Sequence, residues 1–301
     1  FLGELVEAFK DECSHLEAKG YGISLTIMDA ANSQRTQDDQ VQEMINNGCD
    51  ILCVNLADRT DPSEIIDTAR ENDVPIIFFN REPVEEDLMQ WNKLYYVGAE
   101  AKQSGQMQGE LAADYIKENP SVDKNSDGKI QYVILEGELG HQDAIIRTES
   151  VAESMKENGV ELEKLSYQTA NWNRAQAQNR MTQLIGQYKN SIELVIANND
   201  AMALGAMDAY EKLGITDSNY PVFFGIDGTD EGLEAVRQSK LAATVYNDKE
   251  GQAYTMAQLA YAVVTGYGMN NIGFENKKYI YLPYKKVTAG NVTEFIDNIQ
   301  D

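Results

Sequence analysis

Basic residues, cysteines and long apolar runs are all scarce in this sequence. Its 25 Lys and Arg residues are outnumbered by 49 Asp and Glu residues, so the formal net charge at pH 7 is -24. A chain with this charge repels nucleic acid and anionic membrane surfaces. No apolar run approaches the roughly 18 residues of a membrane-spanning helix. The odd number of cysteines, 3, argues against a complete disulfide framework.

Motifs for nucleotides and DNA are also missing. The sequence has no G-x-x-x-x-G-K-[ST] phosphate loop and no G-x-G-x-x-G turn, and nothing in it resembles a helix-turn-helix. It does have 301 residues with a hydrophobic content of 43%, which suffice for a large core and two lobes. Because no Pro- or Ser-rich linker separates the halves, we expect lobes that are joined by several chain crossings.

The apolar residues alternate between strand and helix patterns. Short runs at 23–28, 51–54, 75–79 and 130–135 predict strands, and segments with helical spacing follow them. This order predicts an α/β fold of two doubly wound parallel-sheet lobes with helices on both faces. The predicted N-terminal lobe is 1–99 plus 248–283, and the predicted C-terminal lobe is 100–247 plus 284–301.

Some local details can be predicted as well. Asp61 is expected to cap a helix that has Pro62 at its first position, and Asn173 to cap a later helix. Residues 278–284 alternate and are expected to be extended, and a last helix is predicted over Val292–Ile299.

One loop has the pattern of an EF-hand calcium site. Oxygen-bearing side chains stand at its first, third and fifth positions, and a glycine stands at the sixth, where the chain must turn sharply. Position twelve, where an EF-hand supplies a bidentate Glu, is Ile134 within a predicted strand, so that carboxylate must come from elsewhere. The alternative interpretation is a polar turn without metal. The candidate ligands are Asp123, Asn125, Asp127, the Lys129 carbonyl and Gln131.

Polar side chains follow six of the predicted strands, at the carboxyl ends where ligands bind in open α/β sheets. A single Asn or Asp there is more often a turn or cap residue, but six polar strand ends with an indole favour a binding site. Amides and carboxylates suit the hydroxyl pairs of a neutral sugar, and a Trp face covers the apolar face of its ring. The residues are Asn80, His141, Asp143, Arg147, Trp172, Asn199, Asp227 and Asn247.

These motifs resemble those of the calcium-containing galactose/glucose-binding proteins, which are periplasmic-type solute-binding proteins of bacterial sugar uptake. The resemblance covers essentially the whole chain, and its most specific parts are the loop at 123–131, the segment 140–147 and the Ala-Asn-Asn-Asp-Ala-Met motif at 197–202. It implies a type I periplasmic binding protein fold, with a sugar in the cleft between two lobes and a hinge of three crossings.

The resemblance also assigns further residues. Glu193 matches the bidentate calcium ligand, and Phe1 matches an aromatic plate that faces Trp172 across the sugar. In the family a first strand precedes this Phe and ends in a sugar-binding Asp, so the first strand is expected to be missing from this chain.

The sequence therefore predicts a non-catalytic binding protein for D-galactose or D-glucose with a structural Ca²⁺. We expect a monomer that delivers its sugar to an ABC transporter permease and binds no nucleic acid. Its expected location is extracytoplasmic, either free in the periplasm or lipid-anchored on the outer face of the cell membrane. The alternative function is the sugar-sensing domain of a chemoreceptor or sensor kinase.

An enzyme is the least favoured class. A glycosidase would use Asp143 and Asp227 as paired carboxylates, of which one needs a raised pKa. Arg147, four residues after Asp143, should instead keep that carboxylate ionised.

Overall fold

The chain divides into two units. The structure, a computed structural model, describes residues 1–216 and 219–297. The first unit consists of Phe1–Ala99 and Asp248–Leu282, and the second consists of Glu100–Asn247 and the chain from Pro283 onward. The chain therefore crosses between the units after Ala99, after Asn247 and after Leu282. The predicted two-lobed α/β organisation is confirmed.

Helices and strands alternate along the described chain. Up to the first crossing the elements are α1 (Leu2–Ala18), α2 (Gln34–Asn46), β1 (Leu52–Val54), α3 (Ser63–Glu71), β2 (Ile76–Phe79), α4 (Glu85–Leu88) and β3 (Leu94–Gly98). The second unit continues with α5 (Ala101–Glu118), β4 (Ile130–Glu136), α6 (Gln142–Glu157), β5 (Leu162–Thr169), α7 (Arg174–Tyr188), β6 (Leu194–Ala197), α8 (Asp200–Lys212), β7 (Val222–Phe224), α9 (Asp230–Arg237) and β8 (Ala243–Tyr246). The last elements are α10 (Lys249–Thr265) and β9 (Tyr279–Tyr281) of the first unit, then β10 (Lys285–Thr288) and α11 (Val292–Asp297) of the second.

The sheet of the first unit is parallel, in the order β1-β2-β3-β9. Its β2 strand is apolar at every position because both of its faces are covered. Ile76 and Phe78 pack into the same core as Ile65 of α3, whereas Ile77 packs with Leu5 of α1 on the other side. Each fully buried side chain of this kind stabilises the fold by about 1.5–3 kcal/mol.

The sheet of the second unit has the order β10-β8-β7-β6-β4-β5. All of its described pairings are parallel except that of β10, which runs antiparallel to β8 with Val287 opposite Thr244. The extended segment predicted at 278–284 contains β9 of the first unit, and the antiparallel strand β10 beyond it was not predicted.

Among the described helices, none is both long enough and apolar enough to cross a membrane.

The predicted strand at 23–28 is wrong. Its residues form no strand, and residues 22–28 donate and accept no backbone–backbone hydrogen bond to any described residue. Leu25 and Ile27 are 41% and 48% exposed. The segment lines an apolar groove of 1240 Å³ together with β1, α1 and α10. Alternation of apolar residues is a local signal, but a strand also needs a hydrogen-bonded neighbour, and this segment has none among the described residues.

One predicted helix end also differs. The N-cap of α3 is Pro62 and not Asp61, and no side chain caps that helix, whose first turn begins at Ser63. Asn173 does cap α7, with its Oδ1 accepting from the backbone N–H of Gln176 at 2.9 Å. The predicted end of the last helix at Ile299 lies outside the described residues.

Candidate functional site

The guanidinium of Arg147 is the centre of the polar cluster in the second unit. It is buried, and its Nη1 donates to the Asn198 carbonyl at 2.8 Å while its Nη2 donates to the Tyr284 hydroxyl at 3.0 Å. Two carboxylates lie slightly farther away, with Asp227 Oδ1 at 3.5 Å from Nη1 and Asp143 Oδ2 at 3.8 Å from Nη2. The three predicted residues Asp143, Arg147 and Asp227 are thus brought together.

The guanidinium of Arg147 carries its positive charge. Burial by itself would lower the pKa of Arg147, but Tyr284, Asp227 and Asp143 together raise it above its usual value. A buried cation that is surrounded in this way stays ionised and favours the ionised form of its two carboxylate neighbours.

Trp172 lies beside the same cluster. The Arg147 Cζ atom is 5.8 Å from the centre of the Trp172 ring, within the range of a cation–π contact. The imidazole of His141 lies edge-on, with 5.1 Å between the ring centres. Trp172 has a φ of +61°, a left-handed conformation that a bulky residue rarely adopts. Its carbonyl accepts from Asn199 Nδ2 at 3.4 Å.

Gly137, directly after β4, allows the indole to come this close. A Cβ atom at Gly137 would lie 2.2 Å from Trp172 Cζ2, so the indole would have to move. The glycine at this strand end is therefore a requirement of the tryptophan's position. The sequence alone could not show this requirement, because the two residues are far apart in the chain.

His141 and Asn199 have structural partners as well as predicted ligand roles. His141 is the N-cap of α6, and its Nδ1 accepts from the backbone N–H of Asp143 at 3.1 Å. An accepting Nδ1 leaves Nε2 as the N–H donor of a neutral ring. Asn199 caps α8, with its Oδ1 accepting from the Met202 N–H at 2.9 Å.

Asp227 and Asn247 are held next to each other by the backbone. The Asp227 N–H donates to the Val245 carbonyl at 2.8 Å, and the Asn247 N–H donates to the Asp227 carbonyl at 2.9 Å. Both residues are buried. Asp227 has a φ of +114°, so its backbone is strained at the predicted site.

Asp200 holds together the segments around Asp227, a role that sequence reasoning missed. It is fully buried, and it accepts from the Thr229 N–H at 2.9 Å and from the Thr244 hydroxyl at 2.6 Å. It therefore ties the N-terminus of α8 to β8 and to the loop after Asp227. Burial, and to a lesser degree the charge of Asp227, raises its pKa to about 7.

Phe1 and Asn80 belong to the first unit. Phe1 is the N-cap of α1 and packs against the core that contains Ile77. Asn80 has a φ of +59°, its Nδ2 donates to Asn55 Oδ1 at 3.2 Å, and its carbonyl accepts from the Tyr96 hydroxyl at 3.0 Å. Asn55 follows β1 directly, so the rule that ligands bind at strand ends would have identified it too.

The predicted calcium loop folds as a tight turn of carboxylates and amides. Asp123 accepts from the backbone N–H groups of Asp127 at 3.2 Å and Gly128 at 2.9 Å, and Gly128 has a φ of +80°. Asn125 Nδ2 donates to Gln131 Oε1 at 3.1 Å. The hydrogen bond from the Lys129 N–H lowers the pKa of Asp127, so its carboxylate is charged.

Glu193 lies under this loop and is 1% exposed. Its Oε1 accepts from the Lys124 N–H at 2.6 Å, and its Oε2 accepts from the Gln131 N–H at 3.0 Å. In the part of the chain that is described, no three His, Cys, Asp or Glu side chains converge as metal ligands. A cation here would depend on the amide and carbonyl oxygens as well, and an all-oxygen set of this kind suits Ca²⁺.

Comparison with known proteins identifies the family. The periplasmic binding protein domain family matches residues 4–268. The D-galactose/methyl-galactoside binding periplasmic protein MglB of Haemophilus influenzae is 36% identical over 278 residues, which are 91% of this chain and 83% of that protein. The ribose import binding protein RbsB of Salmonella typhimurium is 27% identical, over 76% of this chain and 70% of that protein.

A solved structure belongs to the same class of solute-binding protein. An ABC transporter solute-binding protein from Bacillus halodurans with bound myo-inositol superposes with a TM-score of 0.79 at 30% identity, covering 97% of this chain and 93% of that chain. These relatives are binding proteins for transport and not enzymes, so the predicted absence of catalysis is confirmed. Their sugars and polyols differ from one relative to another.

Proposed function

The chain belongs to the periplasmic binding protein family, extracytoplasmic proteins that bind sugars for ABC transporters, and we propose that this member binds D-galactose or D-glucose. The carrying observation is the buried Arg147 between the carboxylates of Asp143 and Asp227, beside the ring of Trp172. Similarity to the galactose-binding protein of Haemophilus influenzae supports an aldohexose.

Each group of the cluster has a role in this proposal. The carboxylates of Asp143 and Asp227 accept hydrogen bonds from sugar hydroxyls. Arg147 donates to the sugar, and its charge keeps the two carboxylates ionised. Trp172 stacks on the apolar face of the ring. His141 donates from Nε2, because its Nδ1 is already an acceptor. Asn199 and Asn247 supply amide groups at the ends of β6 and β8.

The first unit contributes two proposed contacts. Phe1 provides a second aromatic face for the sugar, and Asn80 provides an amide at the end of β2. The hydrogen bond to Asn55 holds the side chain of Asn80, and the hydrogen bond from Tyr96 holds its strained backbone.

Calorimetry with a panel of sugars tests the specificity. We expect heat of binding from D-galactose or D-glucose and none from D-ribose. The assignment is wrong if neither aldohexose gives heat while ribose or another solute binds tightly.

A second candidate ligand is myo-inositol. The relative from Bacillus halodurans was solved with myo-inositol bound, at 30% identity and nearly complete coverage. Inositol is also a neutral ring with hydroxyls on every carbon, so the same carboxylates and indole suit it. The panel therefore includes myo-inositol, and a higher affinity for it than for both aldohexoses would favour this candidate.

The loop at 123–131 is proposed to bind a structural Ca²⁺. The ligands would be the side chains of Asp123, Asn125, Asp127, Gln131 and Glu193 with the Lys129 carbonyl. The support is the oxygen-only donor set and the turn at Gly128. The bound ion would tie the loop to β4 and to Glu193 just before β6, and it would take no part in sugar chemistry.

The partner of this protein is proposed to be an ABC transporter permease, with the protein acting as a monomer. Its location would be the periplasm or the outer face of the cell membrane through a lipid anchor. A sensor role would instead involve a chemoreceptor or a sensor kinase. Uptake of labelled sugar by cells with and without this protein distinguishes transport from sensing.

A further inference from the structure

We propose that Tyr284 is a positioning residue that aims the guanidinium of Arg147 at the bound sugar. The proposal rests on the sugar-binding function above and concerns a residue outside the predicted contact set. Tyr284 lies 137 residues from Arg147 in the sequence, yet its hydroxyl accepts from Arg147 Nη2 at 3.0 Å.

The hydroxyl is the group that orients one side of the guanidinium. Nη1 is held by the Asn198 carbonyl at 2.8 Å, and Nη2 is held by Tyr284. Asp143 lies 3.8 Å from Nη2, too far for a hydrogen bond. Nε of Arg147 is buried and has no partner among the described residues, so it does not restrain the group.

Tyr284 is itself well anchored. Its side chain is buried, and burial raises its pKa, so the phenol is neutral. Its backbone N–H donates to Gln103 Oε1 at 2.8 Å. Gln103 lies in the first turn of α5, which follows the crossing after Ala99, and Tyr284 follows the crossing after Leu282. Within the second unit, Tyr284 therefore links two crossing segments to the arginine of the proposed sugar site.

Removal of the hydroxyl changes what Arg147 can bond. Without it, the Asp143 carboxylate, whose Oδ2 lies 3.8 Å from Nη2, is an acceptor within reach of a small movement. We expect the guanidinium to swing into a direct ion pair with Asp143, because a buried donor without a partner is costly. That ion pair would engage the carboxylate that is proposed to accept sugar hydroxyls, and sugar affinity should fall about tenfold or more.

The test is Tyr284→Phe, with sugar affinity measured by calorimetry. The matched control is Tyr210→Phe, which removes another buried hydroxyl in the same unit, one that has no partner among the described residues. Tyr210→Phe should bind sugar like wild type. A second pair of variants places Tyr284→Phe in an Arg147→Lys background. If Tyr284 acts through the guanidinium, the second substitution should cause no further loss, whereas a purely structural role would give additive losses.

A readout without sugar completes the design. In a Trp91→Phe background the remaining tryptophan is Trp172, whose ring is 5.8 Å from Arg147 Cζ. Movement of the guanidinium should change its emission in Tyr284→Phe and leave it unchanged in Tyr210→Phe. The inference is overturned if emission and sugar affinity both match wild type, or if the losses with Arg147→Lys are additive. If wild type binds no sugar of the panel, the proposed function fails separately, and the emission alone decides the role of Tyr284.

Discussion

Replacement of Glu193 by Gln tests the calcium proposal most directly. Glu193 accepts one backbone N–H on each carboxylate oxygen, from Lys124 at 2.6 Å and from Gln131 at 3.0 Å. In the variant an NH₂ group must face one of these donors. One buried hydrogen bond is then lost in any buffer, which should cost about 1–3 kcal/mol.

Calcium should add a separate effect on wild type. An ion that binds only the folded state at about 100 times its Kd stabilises that state by about 2.7 kcal/mol. For a unit of roughly 150–250 residues, 1 kcal/mol shifts Tm by about 2–4 °C. Wild type should therefore lose roughly 5–11 °C on addition of a chelator, measured by differential scanning calorimetry, while Glu193→Gln should show little change.

Glu163→Gln is the matched control for this experiment. Glu163 is an exposed carboxylate on β5 that accepts from Gln131 Nε2 at 3.3 Å, so it is close to the loop but outside the proposed ligand set. It should respond to the chelator like wild type. An unchanged wild-type Tm with chelator would refute the calcium site, and a full chelator response in Glu193→Gln would refute the role of that residue.

Three further predictions concern the second unit. Asp143→Asn should weaken sugar binding about tenfold or more, because it removes a charged acceptor; a calorimetric loss of less than about threefold would contradict its role. Gly137→Ala should displace the Trp172 ring and lower sugar affinity, whereas Gly186→Ala, with open space around its added Cβ, should bind like wild type in the same titration. Burial raises the folded-state pKa of Asp200 to about 7 from 3.8, so its protonated form stabilises the fold most below pH 4, and this contribution is lost as the pH rises to 7. The unfolding free energy of wild type relative to Asp200→Asn, measured with urea, should therefore decrease between pH 4 and pH 7, and a constant difference would contradict the shift.

The sequence predicts well those elements whose pattern lies within a few neighbouring residues. The strand predicted at 75–79 is confirmed over Ile76–Phe79, because an uninterrupted apolar run suits a strand covered on both faces. The cap at Asn173 is confirmed because capping involves residues within one turn. The segment 23–28 has an equally good local pattern, yet it forms no strand. A strand forms only where its backbone pairs with a neighbouring strand, and the residue pattern of one segment does not show whether that neighbour exists.

The sequence by itself determined the α/β class, the family resemblance and the types of side chain at the strand ends. It also determined the spacing of the oxygen-bearing side chains at 123–131, since that loop is one continuous stretch. Only the tertiary structure decided that Tyr284 holds Arg147, that Gly137 makes room for Trp172 and that Asp200 fastens the loop after β7. These contacts join residues that are far apart in the chain. They arise because the carboxyl ends of the parallel strands lie side by side at one edge of the sheet, and because the antiparallel strand β10 begins at that same edge, with Lys285 opposite Tyr246.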